Sequence, residues 1–241
     1  MSLFTVKSNE RSWIRLLSDF TSLFFPEYCL GCSSGLVKGE ETLCTRCILD
    51  LPRTGYQFKA ENPVKEKFIG RLSIKHATAF LKFRKTGIVQ HLLHQLKYNN
   101  HPEVGRKLGQ FFGKEMNDIG LANEFDIIIS MPLHRTRQMK RGFNQSTMFA
   151  EGLMNSLGVP YNDSAVARQV NTSTQTRKNK TERWENVNKA FSVKNPEVIK
   201  DRRVLLVDDI ITTGASIEAC GLELLNHGCK ELSIACIAEA Q

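Results

Sequence analysis

Short apolar runs alternate with segments of helical periodicity from about residue 74 onward, and this alternation constrains the fold most strongly. Continuous apolar runs of this length are typical of strands buried on both faces of a parallel sheet. Strands that alternate with helices predict parallel βαβ units and a doubly wound sheet. The predicted strands are 76–83, 125–131, 202–209 and 231–240, and the predicted helices are 87–99, 102–116, 144–158 and 215–228. In helix 144–158, Asn144 is a candidate N-cap and Gly158 a candidate terminator.

The first quarter of the chain has a different organisation. Apolar residues recur at helical spacing over residues 12–24 until Pro26. Four cysteines follow within residues 29–47, and residues 53–73 are polar and irregular. With 241 residues, we expect a small N-terminal module (1–60) followed by one large domain (61–241).

Composition limits the function classes. A formal net charge of +8 favours a polyanionic partner, although a basic surface kept for solubility is the alternative. No stretch approaches the roughly 18–20 uninterrupted apolar residues of a membrane span. The N-terminal stretch also lacks the uncharged apolar centre of a signal peptide. We therefore expect a cytoplasmic protein without membrane insertion.

The early cysteines form two C-x-x-C pairs with eleven residues between them: Cys29, Cys32, Cys44 and Cys47. Four thiolates suit a tetrahedral zinc ion and leave no position for a catalytic water, so the site is predicted to be structural. Iron–sulfur ligation is the chemical alternative. The module either stabilises its own fold through the metal or also contacts nucleic acid.

The segment "VLLVDDIITTGAS" (204–216) contains two adjacent acids at the end of a predicted strand. Ligands of open α/β sheets bind beyond the carboxyl ends of the strands. The backbone N–H groups and hydroxyls of Thr212, Thr213, Gly214, Ala215 and Ser216 can receive a phosphate at a helix N-terminus. Asp208 and Asp209 would repel that phosphate unless they hold sugar hydroxyls or a divalent cation. A phosphorylated ribose with Mg²⁺ satisfies both requirements.

This segment resembles the 13-residue phosphoribosyl-pyrophosphate (PRPP) signature of type I phosphoribosyltransferases. Further motifs are similar to those of the ComF competence-protein family, and together the likeness runs from about residue 16 to 238. These motifs are the double C-x-x-C pairs, "LKY" (96–98), "PLHRTRQMKRGFNQS" (132–146) and "TQTRKNKTERWENVNKAF" (174–191). The resemblance implies a type I phosphoribosyltransferase-like fold with a small zinc-ribbon module.

The resemblance also implies roles for residues. Asp208 and Asp209 are the expected catalytic acids, acting on PRPP with Mg²⁺ as cofactor, and residues 212–216 are expected to cradle the 5′-phosphate. Residues 170–182 match the family's flexible loop, which includes Thr174, Gln175, Thr176, Arg177 and Lys178. A disordered linker is the other interpretation of that segment.

An acid-free basic cluster follows the predicted strand 125–131: Arg135, Arg137, Lys140 and Arg141. At the carboxyl edge of the sheet it can contact pyrophosphate or a nucleic-acid backbone, because the planar fork of arginine suits phosphate. A solvated loop is the alternative interpretation.

Two functional hypotheses remain open. The first is a phosphoribosyltransferase acting on PRPP. The second is a non-catalytic single-stranded DNA-binding protein that uses the same site as a nucleotide or PRPP sensor. The ComF family is associated with natural competence and DNA uptake, so the resemblance implies DNA and competence or DNA-processing proteins as partners. The only aromatic residues among the basic residues are Phe143 and Trp184, which favours contact with the nucleic-acid backbone over base stacking.

Overall fold

The computed structural model describes residues 26–169 and 190–240. The predicted helix 12–24 and the predicted flexible loop, including Thr174–Lys178, lie outside these residues. The chain divides into two compact units between Asp50 and Leu51. Residues 51–60, which we expected in the N-terminal module, contribute Tyr56 to the core of the second unit. The described part of the first unit contains one short helix, α1 (Thr45–Leu49).

The second unit is built on a five-stranded sheet in which every strand pairing is parallel. The strand order is β1-β7-β6-β2-β3. The strands are β1 (Ala77–Phe83), β2 (Ile127–Ser130), β3 (Tyr161–Asn162), β6 (Arg203–Ile211) and β7 (Glu231–Ala240). A separate antiparallel ribbon joins β4 (Val166–Arg168) to β5 (Phe191–Val193). The doubly wound, mainly parallel sheet expected from the sequence is therefore confirmed.

Helices flank this sheet. They are α2 (Pro63–Glu66), α3 (Ile88–Tyr98), α4 (Pro102–Asp118), α5 (Arg135–Arg141), α6 (Gln145–Leu157) and α7 (Ala215–Asn226), with 3₁₀ turns at Tyr56–Phe58, Leu121–Glu124 and Pro196–Val198. Helices α4 and α6 cross where Gly109 and Gly152 face each other's backbone. A Cβ atom would come within 2.3 Å of a carbonyl oxygen at Gly109 and within 2.1 Å at Gly152. Only glycine permits this close approach.

The order of the strands creates a switch point at the carboxyl edge of the sheet. The chain passes from β2 outward to β3 on one side, and from β6 outward to β7 on the other. Strands β2 and β6 are neighbours, with Ser130 opposite Val207. In open α/β sheets a ligand crevice forms where the winding direction reverses, so the ends of β2 and β6 define the place to search for a site.

The local predictions are largely confirmed. Asn144 caps α6 by accepting a hydrogen bond from Ser146 N–H, and Gly158 ends this helix with φ 69°. Two elements differ most from the expectation. Strand β6 continues to Ile211, beyond the expected end at Asp209, because its pairing with β7 extends to Glu239. Residues 135–141 form helix α5, capped by His134, rather than a loop.

Candidate functional site

Asp208 and Asp209 lie in the last part of β6, where successive side chains point to opposite faces of the sheet. The Asp208 carboxylate accepts hydrogen bonds at Oδ1 from Ser146 Oγ (2.9 Å) and from Asp209 N–H (2.8 Å). Burial, reinforced by the neighbouring Asp209 carboxylate, raises the pKa of Asp208 to about 7. The two acids therefore differ in environment although they are adjacent in sequence.

Asp209 is neutralised by a lysine from a distant helix. Lys97 Nζ lies 2.6 Å from Asp209 Oδ2, and the side chains are only 18% and 15% exposed. Lys97 belongs to the last turn of α3, where the helix dipole also favours a cation. The sequence analysis treated both acids as free to hold a cation or a diol, whereas one already has a protein counter-charge.

The acid pair suits a divalent cation only if a bound ligand also contributes ligand atoms to that cation. Carboxylate oxygens are the preferred ligands of Mg²⁺, which usually keeps waters and ligand phosphates among its ligands. Among the described residues, Oδ2 of Asp208 and Oδ1 of Asp209 accept no hydrogen bond. Because the side chains diverge across the sheet, the two acids suit a cation shared with a bound ligand rather than a site formed by protein alone.

The turn after β6 leads directly into the N-terminus of α7. Thr212, Thr213, Ala215 and Ser216 are exposed, and Gly214 has φ 78°. The first intrahelical bond runs from Glu218 N–H to Gly214 C=O at 2.8 Å. The preceding N–H groups at the helix start have no helical acceptor, which is an arrangement that can receive an anion.

Helix α5 carries the basic cluster to the carboxyl edge, directly after β2. Its side chains Arg135, Arg137 and Lys140 are exposed, and no acid lies in the helix. Arg141 donates to Gln145 Oε1 at 2.8 Å. The cluster thus forms an exposed cationic surface.

An exposed aromatic adjoins this cationic surface. The Arg141 guanidinium lies 5.5 Å from the centre of the Tyr98 ring, and Tyr98 is 66% exposed. The His94 ring lies 5.0 Å from the same ring. Because Tyr98 and Arg141 are far apart in sequence, the sequence analysis did not recognise this cation–aromatic pair.

A cleft of about 350 Å³ separates α5 from the start of β4. Its lining includes Arg135, Gln138, Asn144, Asp163 and Arg168. Burial lowers the pKa of Arg168, and the nearby positive charge of Arg137 acts in the same direction. Gln169 N–H donates to Ala190 C=O at 2.8 Å, which links the β4–β5 ribbon just beyond the Arg168 end of this cleft. The cleft combines arginine side chains, the Asp163 carboxylate and neutral hydrogen-bonding groups.

The cysteines form a separate cluster within the first unit. The four sulfurs of Cys29, Cys32, Cys44 and Cys47 lie within 4.8 Å of one another, as tetrahedral zinc–thiolate ligation requires. Cys29 Sγ accepts N–H bonds from Gly31 (3.3 Å) and Cys44 (3.2 Å), which stabilise thiolate charge. Hydrogen bonds with Ser34 lower the pKa of Cys32 to about 6. These ligands fit the structural zinc site predicted from the spacing.

The structure therefore brings together the acid pair, the glycine turn at residues 212–216 and the basic helix at one edge of the sheet. It adds three residues that the sequence analysis did not assign: Lys97, Ser146 and Tyr98. The sequence did mark these residues, because Lys97 and Tyr98 belong to the "LKY" motif and Ser146 ends "RGFNQS". None of the helices in the described ranges combines the length and apolarity needed to cross a bilayer.

Comparison with known proteins identifies similar sequences and structures. The phosphoribosyl transferase domain matches residues 144–241, which include β6, its turn and α7. The chain is 27% identical over 234 residues to Competence protein F of Haemophilus influenzae, covering 90% of this chain and 99% of that protein. It is 31% identical over 150 residues to the DNA utilization protein YhgH of Escherichia coli K12, covering 61% of this chain. The matched region spans 65% of the length of that relative.

Among solved structures, the chain is similar to glutamine PRPP amidotransferase from B. subtilis, complexed with ADP and GMP. The TM-score is 0.40 at 19% identity, covering 60% of this chain and 30% of that chain.

Proposed function

This chain belongs to the ComF family of phosphoribosyltransferase-like proteins, and from that premise we propose that it binds PRPP with Mg²⁺ at residues 208–216. The observation that carries the proposal is the order of groups along one short path. Two acids lie in the last part of β6, a glycine turn follows, and α7 begins with N–H groups that have no helical acceptor. Diol-binding and phosphate-binding groups therefore lie side by side at the switch point of the sheet.

In this proposal each group binds one part of the ligand. Residues 212–216 bind the 5′-phosphate, and the free oxygens of Asp208 and Asp209 accept hydrogen bonds from the ribose hydroxyls. Arg135 and Arg137 contact the pyrophosphate. Mg²⁺, when bound with the ligand, would neutralise charge on the departing pyrophosphate.

Phosphoribosyl transfer is the reaction that this arrangement supports. The bond from the anomeric carbon to pyrophosphate breaks, and a bond to an incoming nucleophile forms. The positive charge that develops on the ribose lies next to the acid pair, which stabilises it electrostatically. Ser146 holds Asp208 in place through its hydroxyl group.

Calorimetry with PRPP, with and without Mg²⁺, tests this proposal. Asp208→Asn/Asp209→Asn should abolish the Mg²⁺-dependent part of binding. Asp201→Asn is the matched control, because Asp201 is exposed, precedes the same strand at its opposite end, and has φ 58°, which asparagine tolerates. Binding that survives the double substitution would contradict the role of the acids. A folded wild type that binds no PRPP would refute the site. A pyrophosphate-release assay across candidate acceptors then tests turnover.

A second candidate is single-stranded nucleic-acid binding on the surface formed by α5 and Tyr98. The supporting observation is the exposed Tyr98 ring beside Arg141, next to three exposed cations on an acid-free helix. Bases stack on aromatic and guanidinium planes, while cations follow the phosphates. The names of the relatives, Competence protein F and DNA utilization protein YhgH, agree with this candidate.

Fluorescence anisotropy with a labelled oligothymidine tests the second candidate. Arg137→Ala should weaken binding and lower the steepness of its salt dependence by about 0.7 in log–log slope. Tyr98→Ala should weaken binding with little change in that slope. Lys230→Ala removes an exposed cation before β7, at the other edge of the sheet, and should leave binding unchanged. Equal effects of all three variants would show that the oligonucleotide does not bind specifically to the surface formed by α5 and Tyr98.

We also propose zinc at the four cysteines and a cytoplasmic location, since free thiolates persist in a reducing compartment.

A further inference from the structure

The segment that follows α2 forms the floor of the turn at residues 212–214. Asn62 caps α2 and donates to Ala77 C=O at 2.9 Å, which anchors the segment to β1. Phe68 is completely buried. A Cβ atom at Gly214 would lie 2.9 Å from two ring carbons of Phe68. The turn therefore rests directly on this aromatic ring.

Arg71, from the same segment, holds the turn from its side. Its Nη1 donates to Thr213 C=O (3.3 Å) and to Lys67 C=O (3.0 Å). Its Nη2 pairs with Glu218, on the first turn of α7. The guanidinium thus has three fixed acceptors, and the planar fork of arginine suits such a set where the ammonium of lysine does not.

These contacts determine two properties of the turn. The Thr213 carbonyl and the Gly214 N–H belong to one trans peptide and point in opposite directions. Because Arg71 holds the carbonyl, it directs the Gly214 N–H to the other side. Glu218 is only 12% exposed and would place an uncompensated negative charge at the N-terminus of α7 without Arg71.

We propose that Arg71 is a positioning residue for the phosphate turn: it orients the Gly214 N–H and cancels the charge of Glu218, so that the turn accepts a ribose 5-phosphate group. The inference rests on the proposed function, in which residues 212–216 bind that phosphate. Arg71 acts without touching the ligand, since both its Nη1 and its Nη2 are already bonded to protein acceptors.

The test measures dissociation constants for ribose 5-phosphate and for inorganic pyrophosphate by calorimetry on the full chain. Arg71→Met should weaken ribose 5-phosphate binding at least about tenfold, because it frees the carbonyl and exposes the phosphate to Glu218. Pyrophosphate binding should stay within about twofold of wild type, since its proposed contacts lie on α5. Lys65→Met is the matched control, because Lys65 is a cation of the same segment that pairs with Glu61 and does not contact the turn.

Glu218 provides the test of mechanism. Arg71→Met/Glu218→Gln should recover a large part of the lost affinity, because the repelling charge is gone. Glu218→Gln alone keeps an acceptor for Arg71 and should bind ribose 5-phosphate as well as wild type or better. The Glu218→Gln variant also tests the role of this ion pair if Arg71→Met does not fold.

Three results would contradict the inference. They are wild-type affinity in folded Arg71→Met, no recovery in the double variant, or a tenfold loss in Glu218→Gln. A wild type that binds neither ribose 5-phosphate nor PRPP would instead refute the proposed function, and the inference with it.

Discussion

The Lys97–Asp209 ion pair gives the sharpest prediction. Methionine at position 97 keeps the apolar stem of lysine but removes the charge, which leaves two adjacent acids without a counter-ion. Breaking a buried pair from one side costs about 3–5 kcal/mol. Because the two side chains remain 18% and 15% exposed, water screens part of the remaining charge. We therefore expect Lys97→Met to lower the free energy of unfolding by about 2–3 kcal/mol at pH 8.

Urea unfolding at pH 8, without added divalent cation, measures this loss. A double-mutant cycle with Asp209→Asn separates charge from packing. If the cost arises from the unpaired carboxylate, the double variant should be at least about 1 kcal/mol more stable than additivity predicts. Additivity within about 0.5 kcal/mol would refute the argument, because it would mean that the two side chains do not interact energetically.

Lys97→Met should also change how strongly Mg²⁺ stabilises the protein. Without Lys97, the acid pair is more negative, so Mg²⁺ alone should raise the melting temperature of Lys97→Met more than that of wild type. This difference should disappear in the Lys97→Met/Asp209→Asn double variant. An equal response of wild type and Lys97→Met to Mg²⁺ would show that Lys97 and the cation do not compete for the same acids.

Three further predictions concern the acid pair, the zinc cluster and the turn. Because the pKa of Asp208 is raised to about 7, the folded state binds more protons than the unfolded state between about pH 4 and 7. The free energy of unfolding should therefore fall as pH rises through that range, by at most about 1.4 kcal/mol per pH unit, level off above pH 7, and change less in Asp208→Asn. Cys47→Ser should reduce bound zinc, measured by elemental analysis, from one ion per chain to nearly none, while the unfolding transition of the sheet persists. Gly214→Ala should cost about 2–4 kcal/mol of stability and abolish ribose 5-phosphate binding, because it combines a positive φ with a clash against Phe68. Gly158→Ala has a similar φ of 69° but open space and should cost only about 1 kcal/mol.

The elements predicted correctly are those that depend on neighbouring residues. Helix α6 begins and ends where Asn144 and Gly158 predicted, because capping involves side-chain and backbone groups only a few residues apart. The cysteine cluster follows from the spacing of two C-x-x-C pairs, and the turn before α7 from a strand, a glycine and a helix in direct succession. The fold class could also be predicted from the sequence, because the alternation of strand and helix patterns restricts the possible architectures.

The wrong boundaries have equally physical causes. Strand β6 passes beyond Asp209 because β7 continues to pair with it, and pairing between strands does not depend on the polarity of a side chain at the sheet edge. Helix α5 was missed because a short, polar, basic stretch carries no apolar periodicity. Its capping groups, His134 and Gly142, provide the hydrogen bond and the positive φ that start and end it.

By itself, the sequence determined that this chain builds a doubly wound sheet, brings four cysteines together, and places two acids near the end of one strand before a glycine turn. Only the tertiary structure decided which groups those acids and that turn meet. Lys97, Ser146 and Arg71 come from three separate segments that flank β1 or follow β2, and they reach the site because β1, β7, β6 and β2 are consecutive strands of the sheet. Strand order and helix packing bring together residues that are distant in sequence, whereas local patterns record only contacts between near neighbours. The charge balance of the site is therefore a property of the assembled sheet.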